Sequence, residues 1–337
     1  VPKLLWITPE ARGGIRAYTD TLLPHVRAAA QALGWSICVA ESLDEAVAAI
    51  YVERPEIAHI QHEFGLFGLK VPPFYRFPSW LKRLRQASPG TRLTATAHTV
   101  LPRDYRYPLR GRGAQIPARL LLNAAAPWLS RAWNEGTWGS LDGVVVHSEL
   151  QRATVLAAGC PCVAAIPHYV PAAPPPPEIA RDPREVLVFG YFSPEKGQDL
   201  AIEALALCRS DARLTLAGGV RRRSDQAYRD RCARRVRELG LEARVLFADY
   251  VPEAQVSERY ARAALVLAPF RETSGSGSLP MALSRAAPTL ASDLPLNREL
   301  NERAPGCVAT YRAGDAADCA ARIDALLADA PVRERLA

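Results

Sequence analysis

Apolar runs of three to six residues recur along the whole chain, and longer stretches between most of them return an apolar residue every three to four positions. Short unbroken apolar runs read as buried strands, and the 3.6-residue period reads as helices with one covered face. Strands are expected at residues 3–7, 36–39, 57–60, 92–97, 143–147 and 163–166, then at 185–189, 214–217, 245–247, 265–268, 289–291 and 308–310. Helical patterns fall at 14–33 (through Ile15, Tyr18, Leu22 and Val26), 114–133, 198–207, 226–239, 253–262, 279–286 and 316–327. This alternation builds parallel sheets from βαβ units. It is interrupted once, at Val170-Pro171-Ala172-Ala173-Pro174-Pro175-Pro176-Pro177. Four consecutive prolines continue neither a helix nor a central strand, so this segment reads as a stiff connector. The expected fold is α/β, two Rossmann-like doubly wound domains facing a cleft, spanning 1–170 and 184–337 with a Pro-rich linker at 171–183. A chain of 337 residues is too long for one ordinary core, which agrees. In open α/β sheets the ligand lies beyond the carboxyl ends of the strands, so the loops there are where chemistry is sought.

Composition narrows the class only slightly. Hydrophobic residues make up 49% and charged residues 23%, ordinary for a soluble globular chain. No apolar stretch reaches 18 residues, so no spanning helix is expected. No signal peptide is visible, although the chain begins at Val1 and reads as trimmed. The seven cysteines are scattered and odd in number, which suits a reducing cytoplasm. Cys160-Pro161-Cys162 has no nearby His or Cys to complete a metal site, and these residues are read as small apolar ones.

Charge changes the picture more. Between residues 65 and 131 twelve Lys and Arg residues, among them Arg103, face the single Asp104, a local charge of +11 in a chain whose total is +7. Tyr75, Phe77, Trp80, Tyr105, Tyr107 and Trp128 are interleaved with them. Such a face suits anionic lipid, an anionic acceptor or nucleic acid, or is simply a solvated arginine-rich surface.

Two loops of the second half carry the sharpest signal. Gly190-Tyr191-Phe192-Ser193-Pro194-Glu195-Lys196-Gly197 and Phe270-Arg271-Glu272-Thr273-Ser274-Gly275-Ser276-Gly277-Ser278-Leu279 each follow an expected strand and open an expected helix. A lysine beside a helix N-terminus is a site for phosphate, and the glycines allow backbone to approach a ligand closely. A carboxylate beside that phosphate site suits sugar hydroxyls, so the pair of loops points to a nucleotide-activated sugar. In the first half, Gly13-Gly14 sits at the first strand–helix turn, and His98 ends the strand 92–97. The cluster Gln61-His62-Glu63-Phe64-Gly65 ends the strand before it. No carboxylate spacing around these histidines matches a metal site.

At these residues the chain resembles the retaining, nucleotide-sugar-dependent glycosyltransferases of the GT-B fold, family 4. Pro288-Thr289-Leu290-Ala291-Ser292-Asp293 adds to the resemblance, which covers nearly the whole chain. It implies that Gly13, Gly14 and Lys196 meet the donor diphosphate, with Tyr191 at the same loop. It places Glu272 on the hydroxyls of the transferred sugar, backbone N–H groups around Ser276, Gly277, Ser278 and Leu279 on the phosphates, and His98 at the reacting centre. His62, Glu63 and Arg103 fall on the acceptor side. The family needs no divalent metal and no other cofactor. Two departures stand out: Tyr191 replaces the usual arginine, and Pro280 or Met281 replaces a second, ribose-binding glutamate. At roughly 1.5–3 kcal/mol per charged hydrogen bond, the two losses amount to as much as about four decades of affinity.

The expected activity is transfer of a hexose of the mannose or glucose type from a GDP- or UDP-linked donor to a saccharide or lipid-linked acceptor. The expected location is the cytoplasm or the inner membrane face, with peripheral contact through residues 65–131 and no nucleic-acid partner. A GT-B-like binding or adaptor subunit without turnover is the alternative.

Overall fold

The computed structural model describes residues 1–8, 14–68, 75–102, 115–169, 179–220, 223–271 and 277–336. These divide into two compact units, Val1–His168 and Tyr169–Ala337. Most of the proline connector, residues 170–178, lies outside the described residues.

The first unit holds β1 (Lys3–Ile7), β2 (Ser36–Ala40), β3 (Ile57–His62), β4 (Arg92–Ala97), β5 (Gly143–Val146) and β6 (Val163–Ala165). They form one parallel sheet in the order β2-β1-β3-β4-β5-β6. The second unit holds β7 (Asp182–Phe189), β8 (Arg213–Ala217), β9 (Val245–Asp249), β10 (Ala263–Ala268), β11 (Thr289–Ser292) and β12 (Ala309–Tyr311). Its parallel sheet runs β12-β11-β10-β7-β8-β9, the doubly wound nucleotide-binding order. The chain reverses direction across each sheet at one point, between β1 and β3 in the first and between β7 and β10 in the second. Beyond the carboxyl ends of those strands lie the crevices such sheets use for ligands.

Burial explains why the strands read as apolar runs. All six residues of β10 are buried, because helices cover both faces of its sheet. Successive side chains go to opposite faces: Val186, Val188, Leu265 and Leu267 join one core cluster, while Leu187 and Val266 join another with Tyr260 and Val256. In the first unit Leu5, Ile7, Ile60, Leu93, Val144 and Val146 build the corresponding core.

Three boundaries differ from the sequence expectation. The helical pattern at 114–133 is two helices, Gln115–Ala124 and Ala126–Trp138, with a proline in the first turn of the second. Proline has no N–H for the preceding turn and clashes with its carbonyl, so the first helix ends there. β7 starts at Asp182, inside the stretch assigned to the linker, where Asp182 pairs with Arg213 of β8. β3 runs on to His62 because its polar end residues find partners inside the unit.

Candidate active site

In the second unit both loops singled out by the sequence leave the switch point, one from β7 and one from β10. After β7 the chain turns through Gly190 at φ 140°, and its N–H bonds the Ala217 carbonyl of β8. Phe192 N–H donates to the Gly219 carbonyl at 3.0 Å, which pins this loop to its neighbour after β8. A short turn, Pro194–Lys196, then leads through Gly197 into the helix Gln198–Leu207. Gly197 has φ 71°, and a Cβ there would stand 1.9 Å from the Pro269 carbonyl oxygen. Only glycine fits this place, where the β7 loop presses directly on the β10 loop. Gln198 Nε2 donates to the Tyr191 carbonyl at 3.0 Å, while the Tyr191 ring is 49% exposed.

Lys196 is half-buried, its Nζ 4.5 Å from the centre of the Phe270 ring. Burial pushes its ammonium down to about 8, against a weaker opposing pull from Glu195. Bringing an anion to a cation held at a desolvation cost offsets part of that cost. Arg271 joins the two loops: its N–H donates to the Glu195 carbonyl at 2.9 Å and its Nη1 to the Pro194 carbonyl at 2.8 Å. No sequence signal pointed to this residue. Beyond the loop, Gly277 precedes the helix Ser278–Ser284, and Leu279 is buried. A cavity of about 10 Å³, room for one water, lies at the ends of β7 and β10 among Phe189, Tyr260, Ala268, Phe270, Ser278 and Leu279. Of the predicted donor residues, Tyr191 and Lys196 lie in the loop after β7, while Gly277, Ser278 and Leu279 open the helix that follows β10. Glu272 and Ser276 lie outside the described residues.

In the first unit Gly14 opens the helix Gly14–Ala32 after β1, while Gly13 and Arg103 lie outside the described residues. His98 follows β4, buried, with its Nε2 2.9 Å from Gln61 Oε1. With that carbonyl oxygen accepting, Nε2 carries the proton and Nδ1 stays an acceptor. Next to it Thr99 Oγ1 donates to Glu63 Oε2 at 2.6 Å, so the ends of β3 and β4 are tied by two side-chain bonds. Tyr18 packs edge-on against His98 at 4.8 Å, and the His147 ring lies 5.7 Å away. Burial, then the His147 and His168 rings, push His98 down to about 3; burial also brings His147 to about 4. His98 is thus a neutral hydrogen-bonding ring at pH 7.

His62 is fully buried. Its Nε2 bonds Tyr75 Oη at 2.8 Å, and the ring stacks on Phe67 and meets Phe77 and Trp138 edge-on. Glu63, half-buried, is the member of that pair with surface to offer. His59 bonds Thr94 and Thr96 at 2.9 and 2.8 Å and is a satisfied interior residue. Among the described residues no group of three or more His, Cys, Asp or Glu could hold a metal ion. No described helix is long and apolar enough to cross a membrane.

Residues 171–337, which include both of the loops after β7 and β10, match the family model of the glycosyl transferases group 1. Across the whole chain the fold is that of the GT-B glycosyltransferases. Alr3699/HepE of Anabaena, solved with UDP and glucose, superposes with a TM-score of 0.66 at 16% identity, covering 100% of this chain and 94% of that one. Sucrose-phosphate synthase of Thermosynechococcus elongatus gives 0.67 at 17% identity, covering 100% and 92%. A glycosyltransferase from Rickettsia africae gives 0.66 at 14%, covering 99% and 91%. No curated protein matches the sequence.

Proposed function

We propose that this chain is a retaining glycosyltransferase of the family 4 type, moving a hexose from a nucleoside-diphosphate sugar to a hydroxyl of a saccharide or lipid-linked acceptor. The observation that carries the reading is Lys196: a partly desolvated ammonium on a glycine-dependent turn at the switch point of the second sheet, within the half that matches the group 1 family. UDP and UDP-glucose in the Anabaena structures make uridine donors the first to try.

Departure of the nucleoside diphosphate builds negative charge on the leaving oxygen, while the sugar becomes oxocarbenium-like. Lys196 and the backbone N–H groups from Ser276 to Leu279 offset the first, and the resemblance alone assigns Gly13 and Gly14 to the diphosphate; no metal is required for this. Donors already in place spare reorganisation at the moment of bond cleavage, which is where such sites gain most. Glu272 takes hydroxyls of the transferred sugar. His98, neutral and oriented by Gln61, donates or accepts a hydrogen bond at the reacting centre without adding charge beside an incipient cation. Glu63 and Arg103 meet the acceptor, and His62 supports them from beneath. The basic stretch 65–131 rests on an anionic surface at the inner membrane face, and Leu121 and Trp128 within it are exposed.

A binding subunit without turnover is the second reading, favoured by the uncharged Tyr191 and by Pro280 and Met281 where a ribose carboxylate is expected. A thermal-shift panel of UDP, GDP and their hexose conjugates tests the leading one. A shift with a diphosphate and its sugar, lost in Lys196→Ala, is expected. No shift with any nucleotide would leave the donor assignment without support and favour the second reading.

A further inference from the structure

Arg271 stands one residue before Glu272 and is bonded twice to the other loop and once to the helix that follows it. Besides the Glu195 and Pro194 carbonyls, it reaches Asp199 Oδ1 through Nη1 at 2.6 Å. Asp199 lies in the first turn of the helix Gln198–Leu207. Tyr228, from the helix Arg223–Glu238, donates its hydroxyl to the same Oδ1 at 2.8 Å and accepts from the Asp199 N–H at 3.1 Å. Burial alone would raise the Asp199 carboxyl, but hydrogen bonds from Arg271 and Tyr228 outweigh it and hold it ionised below the usual range. Lys196 sits between these anchors, preceded by Pro194 and Glu195 and followed by Asp199. Side-chain exposures of 35% and 40% make the Arg271–Asp199 pair too wet to be a main source of fold stability. What it fixes is geometry.

We propose that Arg271 is a positioning residue of the donor site, locking the Lys196 turn to the end of β10 so that Lys196 is held in place. In this role it touches neither phosphate nor sugar. Its use in catalysis rests on the donor reading above, whereas the lock is a property of the protein alone. A change on either loop is therefore passed to the other through Arg271 rather than through the ligand.

Amide hydrogen exchange at Lys196, Gly197 and Arg271, read by NMR on the whole chain without nucleotide, tests the lock in Arg271→Gln, Arg271→Lys and Asp199→Asn. Nη1 alone makes both side-chain bonds, so a lysine ammonium can restore them and a glutamine cannot carry the charge. Arg271→Gln and Asp199→Asn should each speed exchange about tenfold, the double variant no further, and Arg271→Lys should recover most of the protection. Titration with UDP then tests the positioning role. Arg271→Gln should bind about tenfold more weakly, and its binding should persist to higher pH as the loosened Lys196 regains its ordinary basicity; Arg271→Lys should stay near wild type. Unchanged exchange in folded Arg271→Gln would overturn the lock. Faster exchange with unaltered UDP affinity and pH profile would overturn the positioning role. If UDP and GDP do not bind even the wild type, the donor reading fails, while the exchange rates still decide the lock.

Discussion

Replacing Lys196 with methionine should make the free protein more stable and its nucleotide site worse. The ammonium is lowered from its ordinary 10.5 to about 8 by burial, a shift worth about 3 kcal/mol at 1.36 kcal/mol per unit. Against this stands the contact with the Phe270 ring at 4.5 Å, about 0.5–1 kcal/mol for a cation over an aromatic face. Methionine keeps the chain length and can place its sulfur against the same ring, leaving a net gain of about 2 kcal/mol. The sign follows from proton linkage. Between pH 8 and 10.5 the unfolded lysine holds a proton the folded one has released, so wild-type stability rises through that window. The gap between variant and wild type is therefore full below about pH 8 and closes by about pH 10.5. Urea unfolding of the second unit at pH 7 and at pH 10.5 measures it. The same variant should lose UDP binding, and wild-type binding should weaken up to tenfold per pH unit above about 8, because a diphosphate needs the charged form. A methionine variant less stable than wild type at pH 7, or a gap that does not narrow with pH, would refute the desolvation argument.

Gly197→Ala should destabilise the second unit by 2 kcal/mol or more, since it combines left-handed strain of about 1–2 kcal/mol with a Cβ driven into the Pro269 carbonyl; denaturant midpoints would show it. His59→Val should cost about 1–3 kcal/mol by orphaning the half-buried Thr94 and buried Thr96 hydroxyls without altering nucleotide affinity, and a lower affinity would place His59 in the site. His98 should show no titration in NMR between pH 5 and 8, because burial holds it near 3; a midpoint near 6.5 would contradict its neutral role. Thr99→Val should free Glu63 and raise the KM for acceptor more than that for donor.

All twelve described strands were legible in the sequence because sheets covered on both faces demand unbroken apolar runs, of which Ala263–Ala268 is the clearest. Less legible were elements whose logic is not apolar. The polar start of β7 depends on an ion pair to β8, and the break before Ala126 depends on where a proline falls. At the candidate site, Lys196 stood out because Gly197 and the following helix mark a strand–turn–helix junction locally. Arg271 could not, since its partner Asp199 is 72 residues away and only the pairing of β7 with β10 brings them together. His62 illustrates the converse: a polar residue at a strand end reads as functional until Phe67, Phe77, Tyr75 and Trp138 are seen to enclose it.

The central claim is that the two donor-side loops activate a nucleotide sugar. Mass detection of hexose transfer from UDP- and GDP-hexoses to a saccharide and lipid-linked acceptor panel tests it most directly, with Lys196→Ala and Glu272→Ala as controls. A transferred hexose in the wild type, lost in both folded variants, is the predicted result. Transfer that survives both substitutions, or none from any donor to any acceptor, would contradict the claim.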